Sequence, residues 1–240
     1  MNKLVRSAFA ALLFAGALAL AGCSDDTTSQ GACGVLTCSG TTGGGTLPGG
    51  QVVLVRLGTD NLIGEDPPKY QKLWVAVVTD INGNAVPGVT VTFALRSGTP
   101  LNPGGYMKGF YVLPPPAPAP QFWNQSLTAI CANEDANFNG ILDAGEDLNG
   151  NSLLTPFGAA AVNPTGVSDS LGFAQATIAY AKDYAYWTQV TLEARAGVSG
   201  TPATATFDLV GLATDYSNLG IAPPGQPGPF GTSGNCADTL

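Results

Sequence analysis

Residues 73–95, LWVAVVTDINGNAVPGVTVTFAL, hold two apolar runs on either side of the turn-rich Ile81-Asn82-Gly83-Asn84. In the second run Val89, Val91, Phe93 and Leu95 alternate with Thr90, Thr92 and Ala94, so one set faces a core and the other faces water. Asn82-Gly83 supplies the backbone freedom that a tight reversal needs. The pattern predicts a strand pair. Residues 73–78 are apolar on both parities, which leaves the face taken by Trp74 open. One strand pair is not stable by itself, so the remaining chain has to supply a sheet for it to join.

Working outward, strand-like segments run over 52–57, 70–79 and 86–95, and resume over 172–181, 188–196 and 203–210. Val190, Leu192 and Ala194 alternate with Thr191, Glu193 and Arg195. Likewise Ala203, Ala205, Phe207 and Leu209 alternate with Thr204, Thr206 and Asp208. Short half-buried strands separated by turn signals, with no crossover helices between them, predict an all-β fold: an antiparallel sandwich of two sheets. A chain of 240 residues with 45% hydrophobic content can bury one sizeable core, and Gly 32 with Pro 18 favours turns over long helices.

Composition also excludes chemistry. A net charge of -8 without a Lys/Arg cluster makes nucleic acid an unsuitable partner and a divalent cation a better one. With no histidine, Ser-His-Asp and Cys-His catalysis and His-ligated metals are ruled out. No phosphate-cradling glycine loop, Cys-x-x-Cys pair or nucleophile elbow is present, so no enzyme is expected.

Residues 1–22 carry Lys3 and Arg6 ahead of an apolar run that is short for a bilayer span, and end Leu20-Ala21-Gly22 before Cys23. This resembles a bacterial lipobox. The resemblance implies that Cys23 becomes the lipidated N-terminus and tethers the protein to a membrane of the bacterial envelope, the outer membrane or cell surface, with Ser24 favouring the outer membrane. Residues 23–50 are rich in Ser, Thr and Gly and read as a flexible tether. Setting Cys23 aside leaves Cys33, Cys38, Cys131 and Cys236, an even number in an oxidising compartment. Of the three possible connectivities, Cys33 with Cys38 and Cys131 with Cys236 is preferred on proximity alone.

The motif Val78-Thr79-Asp80-Ile81-Asn82-Gly83-Asn84-Ala85-Val86-Pro87-Gly88-Val89-Thr90-Val91-Thr92-Phe93, followed by Ser168-Asp169-Ser170-Leu171-Gly172-Phe173-Ala174, resembles the bacterial immunoglobulin-like domains of the intimin and invasin type (Big-1). The resemblance covers about residues 51–98 and 166–211. It implies an Ig-like sandwich over 51–211, used as a spacer or adhesive module on the cell surface, without catalysis. Residues 98–167 are an insertion that this family does not explain. Residues 212–240 form a Gly/Pro-rich strap, expected to be ordered only if Cys236 is bridged.

Within the insertion, residues 113–120, LPPPAPAP, favour a stiff polyproline path. Residues 135–146, DANFNGILDAGE, match the twelve-residue calcium-loop pattern. Asp135, Asn137, Asn139 and Glu146 are the expected side-chain ligands, Ile141 through its carbonyl, and Asp143 directly or through water. Gly140 makes the sharp turn. A poorer copy follows with Asp147, Asn149, Asn151, Leu153 through its carbonyl, and Thr155; Ser152 replaces the turn glycine and Gly158 the terminal glutamate. In this copy Glu146 or Asp143 could serve the second ion.

No exiting helix is readable after Asp147, so the loops resemble those of dockerins and thrombospondin repeats more than a helix-paired sensor. Five acids from Glu134 to Asp147 repel one another without a cation, and calcium should order the segment with an affinity of roughly micromolar to millimolar. A glycosidase pair is the weaker reading of these acids. Tyr184, Tyr186 and Trp187 stack on sugar or pack a corner, the latter preferred. The expected role is a lipid-anchored, calcium-binding surface protein, structural or adhesive, with an unknown protein or glycan ligand; the alternatives are a carbohydrate-binding or enzyme-accessory module, or a self-associating subunit of a surface filament.

Overall fold

Alternation of apolar and polar side chains places two antiparallel sheets face to face. The computed structural model describes residues 32–33, 36–38, 41–48, 51–97, 105–116, 120–156, 158–197 and 199–238. The strands are β1 Ala32–Cys33, β2 Leu36–Cys38, β3 Gly43–Thr46, β4 Val52–Asp66, β5 Lys69–Thr79, β6 Thr90–Ser97 and β7 Tyr106–Val112. They continue with β8 Asn124–Cys131, β9 Ala160–Val162, β10 Thr165–Val167, β11 Phe173–Ala181, β12 Gln189–Ala196, β13 Ser199–Thr201 and β14 Ala203–Asp208; one short helix, α1 Ala213–Ser217, follows.

The first sheet runs β1-β2-β4-β5-β11-β9, with β3 paired to both β4 and β13; the second runs β10-β6-β12-β14. Between them, β4-β5-β11-β9 and β6-β12-β14 reproduce the two strand orders of immunoglobulin-type sandwiches. The inward residues form one core: Val53, Val55 and Leu57 of β4, Trp74, Ala76 and Val78 of β5, and Ala174, Ala176 and Ile178 of β11. They meet Val91 and Phe93 of β6, Val190, Leu192 and Ala194 of β12, and Ala203 and Ala205 of β14. Trp74 points inward, against Phe207 with ring centroids 4.7 Å apart.

The strand pair expected within 73–95 is corrected by the topology. β5 pairs with β4 and β11, whereas β6 pairs with β10 and β12 in the opposite sheet. The reversal itself forms: Asp80 Oδ1 accepts the N–H groups of Asn82 and Asn84 at 2.8 Å each, and Val86 N–H donates to Val78 O at 3.0 Å. Pro87 then offers no N–H to extend a ladder, and Gly88 at φ 74° turns the chain across to the second sheet.

The flexible tether expected over 23–50 is also corrected in part. Residues 43–46 are a strand that pairs with 52–55 and with 199–201. Its glycines are what let it fit: a Cβ on Gly43 would collide with the backbone of Thr201, Pro202 and Ala203, and one on Gly200 with Gly44 O. A glycine run that reads as a linker is here a strand under close backbone approach. Residues 1–31, with Cys23 and the predicted signal segment, lie outside the described residues. So do the side chains of Cys33 and Cys38, and residues 117–119 of the proline run.

The insertion leaves the end of β6 and returns at β9, which joins the first sheet, and β10, which joins the second. Residues 160–167 thus belong to the sandwich, and the inserted part is shorter than the expected 98–167. It contains a hairpin of β7 and β8. The C-terminal strap lies along the other edge of β7: Gly109 N–H donates to Gly231 O (3.0 Å), Gly228 N–H donates to Gly109 O (2.9 Å), and the Gln226 amide bonds both the N–H and C=O of Tyr111. Cys131 and Cys236 are joined as a disulfide, with Cα atoms 5.6 Å apart. The buried Lys108 Nζ donates to Asn235 O, Asp238 O and Asp238 Oδ1, each at 2.8 Å.

Leu192 is fully buried at the centre of β12. Leu192→Ala is expected to cost about 2–5 kcal/mol, read as a lowered urea midpoint. On α1, burial would raise the Asp215 carboxyl, but hydrogen bonds from the Tyr70 hydroxyl and Lys182 Nζ, with the ammonium charge, lower it below its ordinary value. A carboxyl lowered in the fold contributes stability that is present above its unfolded value and lost as pH falls through the folded one. The stability gap between wild type and Asp215→Asn should therefore be widest near neutral pH and close in acid, in urea melts at a series of pH values.

Candidate metal centre

Residues 134–155 contain neither helix nor strand, so their backbone N–H groups must be met by side chains. Asp and Asn at alternate positions do this, because a short polar side chain reaches the N–H two residues on. In the first loop Asp135 Oδ1 accepts from Asn139 N–H (3.0 Å) and Oδ2 from Gly140 N–H (2.9 Å). Asn137 Oδ1 also accepts from Asn139 N–H (3.0 Å), and Asn139 Oδ1 accepts from Ile141 N–H (2.6 Å). The Nδ2 groups of Asn137 and Asn139 both donate to Asp143 Oδ2 at 2.8 Å. Positions one, three, five and nine thus curl around one centre, and Asp143 holds two amides there.

Glu146, 8% exposed, closes this loop: its Oε1 accepts from Ala136 N–H and its Oε2 from Asp143 N–H, both 3.0 Å. Glu146 N–H in turn donates to Asp143 O at 3.2 Å. Phe138 takes φ 59° and Gly140 φ 73°, left-handed conformations that curl the chain. Arg96 of β6 lies 5.1 Å from the Phe138 ring centroid and pairs with Glu193 at 3.5 Å, docking the loop on the second sheet.

The second loop repeats these bonds one for one. Asp147 accepts from Asn151 and Ser152 N–H (3.0 Å each), Asn149 Oδ1 from Asn151 N–H (3.0 Å), and Asn151 Oδ1 from Leu153 N–H (2.8 Å). Asn149 and Asn151 Nδ2 donate to Thr155 Oγ1 at 2.9 and 3.3 Å. Gly150 and Ser152 repeat the left-handed pair at φ 74° and 62°. This copy is also better anchored, with Leu154, Thr155 and Pro156 buried where Leu142, Asp143 and Ala144 are exposed.

The side chains of Asn137, Asn139 and Asp143 meet in the first loop and those of Asn149, Asn151 and Thr155 in the second, while Asp135, Glu146 and Asp147 bind backbone N–H groups of the loops. Their chemistry in the first loop fits calcium: Asp135, Asp143 and Glu146 supply carboxylates, Asn137 and Asn139 amide oxygens with a second lone pair beyond the turn bond, and Ile141 a carbonyl. Its Ile141 side chain is 63% exposed, which leaves the backbone to serve the loop. Among the described residues no three Asp, Glu or Cys side chains form a metal-holding cluster on their own.

Three contributors were not singled out by sequence reasoning. Arg96 and Tyr106 are distant in sequence and carry no local signal. The Tyr106 hydroxyl is pushed up by its burial and by the charge of nearby Glu134. Glu134, 2% exposed, had a legible signal: Glu134-Asp135 and Glu146-Asp147 begin the same repeat. Tyr184, Tyr186 and Trp187 do pack a corner, with Tyr186 edge-on to Tyr216 at 5.1 Å, Trp187 against Tyr111 at 5.2 Å and Tyr184 stacked on Phe230 at 5.6 Å.

Comparison with protein families, with characterised proteins and with solved structures finds no match to this chain.

Ser152 carries a left-handed conformation at a position where a Cβ is unfavourable. Ser152→Gly should stabilise the protein by up to about 1 kcal/mol, measured by urea denaturation, while leaving the fold unchanged.

Proposed function

We infer that this is a lipid-anchored, calcium-binding surface protein whose Ig-like sandwich serves a structural or adhesive role. The observation that carries the calcium reading is the convergence of Asn137 and Asn139 on Asp143 within a loop closed by Glu146. Asp135, Asn137, Asn139, Asp143 and Glu146 would hold the ion through side chains and Ile141 through its carbonyl. Bound there, calcium supplies charge neutralisation for three carboxylates confined to one loop, and so order rather than catalysis. The membrane attachment rests on the lipobox-like residues before Cys23.

The adhesive or spacer reading draws on the sandwich and on the surface family that residues 78–93 resemble. A protein surface, a glycan or a second copy of this chain are the partners it leaves open. The glycan alternative would need Tyr184, Tyr186 and Trp187 as an exposed platform, but Trp187 is fully buried and the other two pack against Phe230 and Tyr216.

Calorimetric titration of the full-length protein in detergent tests the calcium assignment. Saturable binding with a Kd on the order of 10⁻⁶ to 10⁻³ M is expected, abolished by Asp135→Ala and by Asp143→Ala. No heat and no rise in melting temperature at millimolar calcium would overturn it.

A further inference from the structure

The second loop lacks the residue that closes the first. Its twelfth position is Gly158, yet every bond that a terminal glutamate makes in the first loop is also made in the second. In the first loop Glu146 accepts the N–H groups of positions two and nine, Ala136 and Asp143, and its own N–H donates to the position-nine carbonyl, Asp143 O, at 3.2 Å. In the second loop the corresponding N–H groups are those of Leu148 and Thr155. Glu134 Oε1 accepts from Leu148 (3.2 Å), its Oε2 accepts from Thr155 (2.8 Å), and Glu134 N–H donates to Thr155 O (3.0 Å). Glu134 takes a further bond, from Asn149 N–H at 3.1 Å.

The two centres differ in charge. Asp143 meets the paired amides in the first loop, and the neutral Thr155 hydroxyl meets them in the second. The second loop thus holds two carboxylates, Asp147 and Glu134, against three in the first, and its closing carboxylate already accepts three N–H groups in a buried place.

The geometry points to Glu134 as the exchanged closing residue of the second loop, a positioning group that folds residues 147–155 without a cation. The first loop is closed from behind by Glu146 and the second from in front by Glu134, so the loops interlock and neither is a unit by itself. The corollary that the insertion takes one calcium ion, in the first loop, rests on the calcium reading above; the role of Glu134 does not.

Hydrogen exchange of the full-length protein, followed by mass spectrometry in chelator and in millimolar calcium, tests this. In wild type, peptides covering 147–156 should be protected in chelator and unchanged by calcium, while those covering 136–145 slow when calcium is added. Glu134→Gln should speed exchange of 147–156 by roughly tenfold or more, the size expected on losing a charge-assisted bond, with residues 173–181 of β11 unaffected. Protection of 147–156 that appears only with calcium, two ions bound per chain, or unchanged exchange of 147–156 in Glu134→Gln would each overturn the proposal. Should that variant unfold β11 as well, the wild-type comparison between chelator and calcium still decides. Protection of 147–156 in chelator together with no calcium response anywhere would defeat the calcium reading and leave the role of Glu134 standing.

Discussion

Apolar contact between the inward side chains of β5 and β11 and those of β6 and β12 is what the rest of the structure hangs on. Trp74, Ala76, Ile178, Leu192 and Ala194 are at most 2% exposed, and burial of that extent is the dominant favourable term in a domain of this kind. Small residues share this core with the large ones: the alanines of β11, β12 and β14 are buried in the same cluster as Trp74. With both sheet faces committed to this core, the insertion has to leave from strand ends. It departs after β6 and returns through β9 and β10, which bond to one sheet each.

Inside the insertion a different constraint operates. A segment with no ladder of its own still carries a donor at almost every residue, and these must be satisfied where they are buried. Asp, Asn and Glu side chains perform that task here, which explains why residues 134–155 are so rich in them and why the loop polarity is not simply surface polarity. The same curl that satisfies the backbone turns two asparagine amides onto one acceptor in each loop. That acceptor, carboxylate in one and hydroxyl in the other, is where the two loops part.

The strap solves a third problem. The hairpin of β7 and β8 would present an open edge along β7, a template for unwanted pairing. Glycines 228 and 231 and the side-chain amide of Gln226 meet that edge, and the Cys131–Cys236 disulfide with Lys108 holds the strap in place. A fully buried ammonium is tolerated because three oxygens surround it. The disulfide also leaves the end of β8 fixed just ahead of Glu134, where the first loop begins.

What the sequence by itself determined are the features written in short-range patterns. Period-two alternation disclosed the strands over 89–95, 188–196 and 203–210 and the buried parity of Val91, Phe93 and Leu192. The twelve-residue spacing disclosed where both loops curl, because most of their bonds join residues only a few positions apart. The residues missed were those whose role depends on a distant partner. β5 and β6 lie in opposite sheets because their true partners, β11 and β12, come about 100 residues later, and no local pattern ranks those partners above each other. Glycines 43–45 look like a linker until the backbones of β4 and β13 close around them. Glu134 looked like one more repelling acid, and only the three N–H groups that the folded second loop turns toward it make it the residue that closes that loop. Tertiary structure decided these points because each rests on atoms that become neighbours only after the chain has folded.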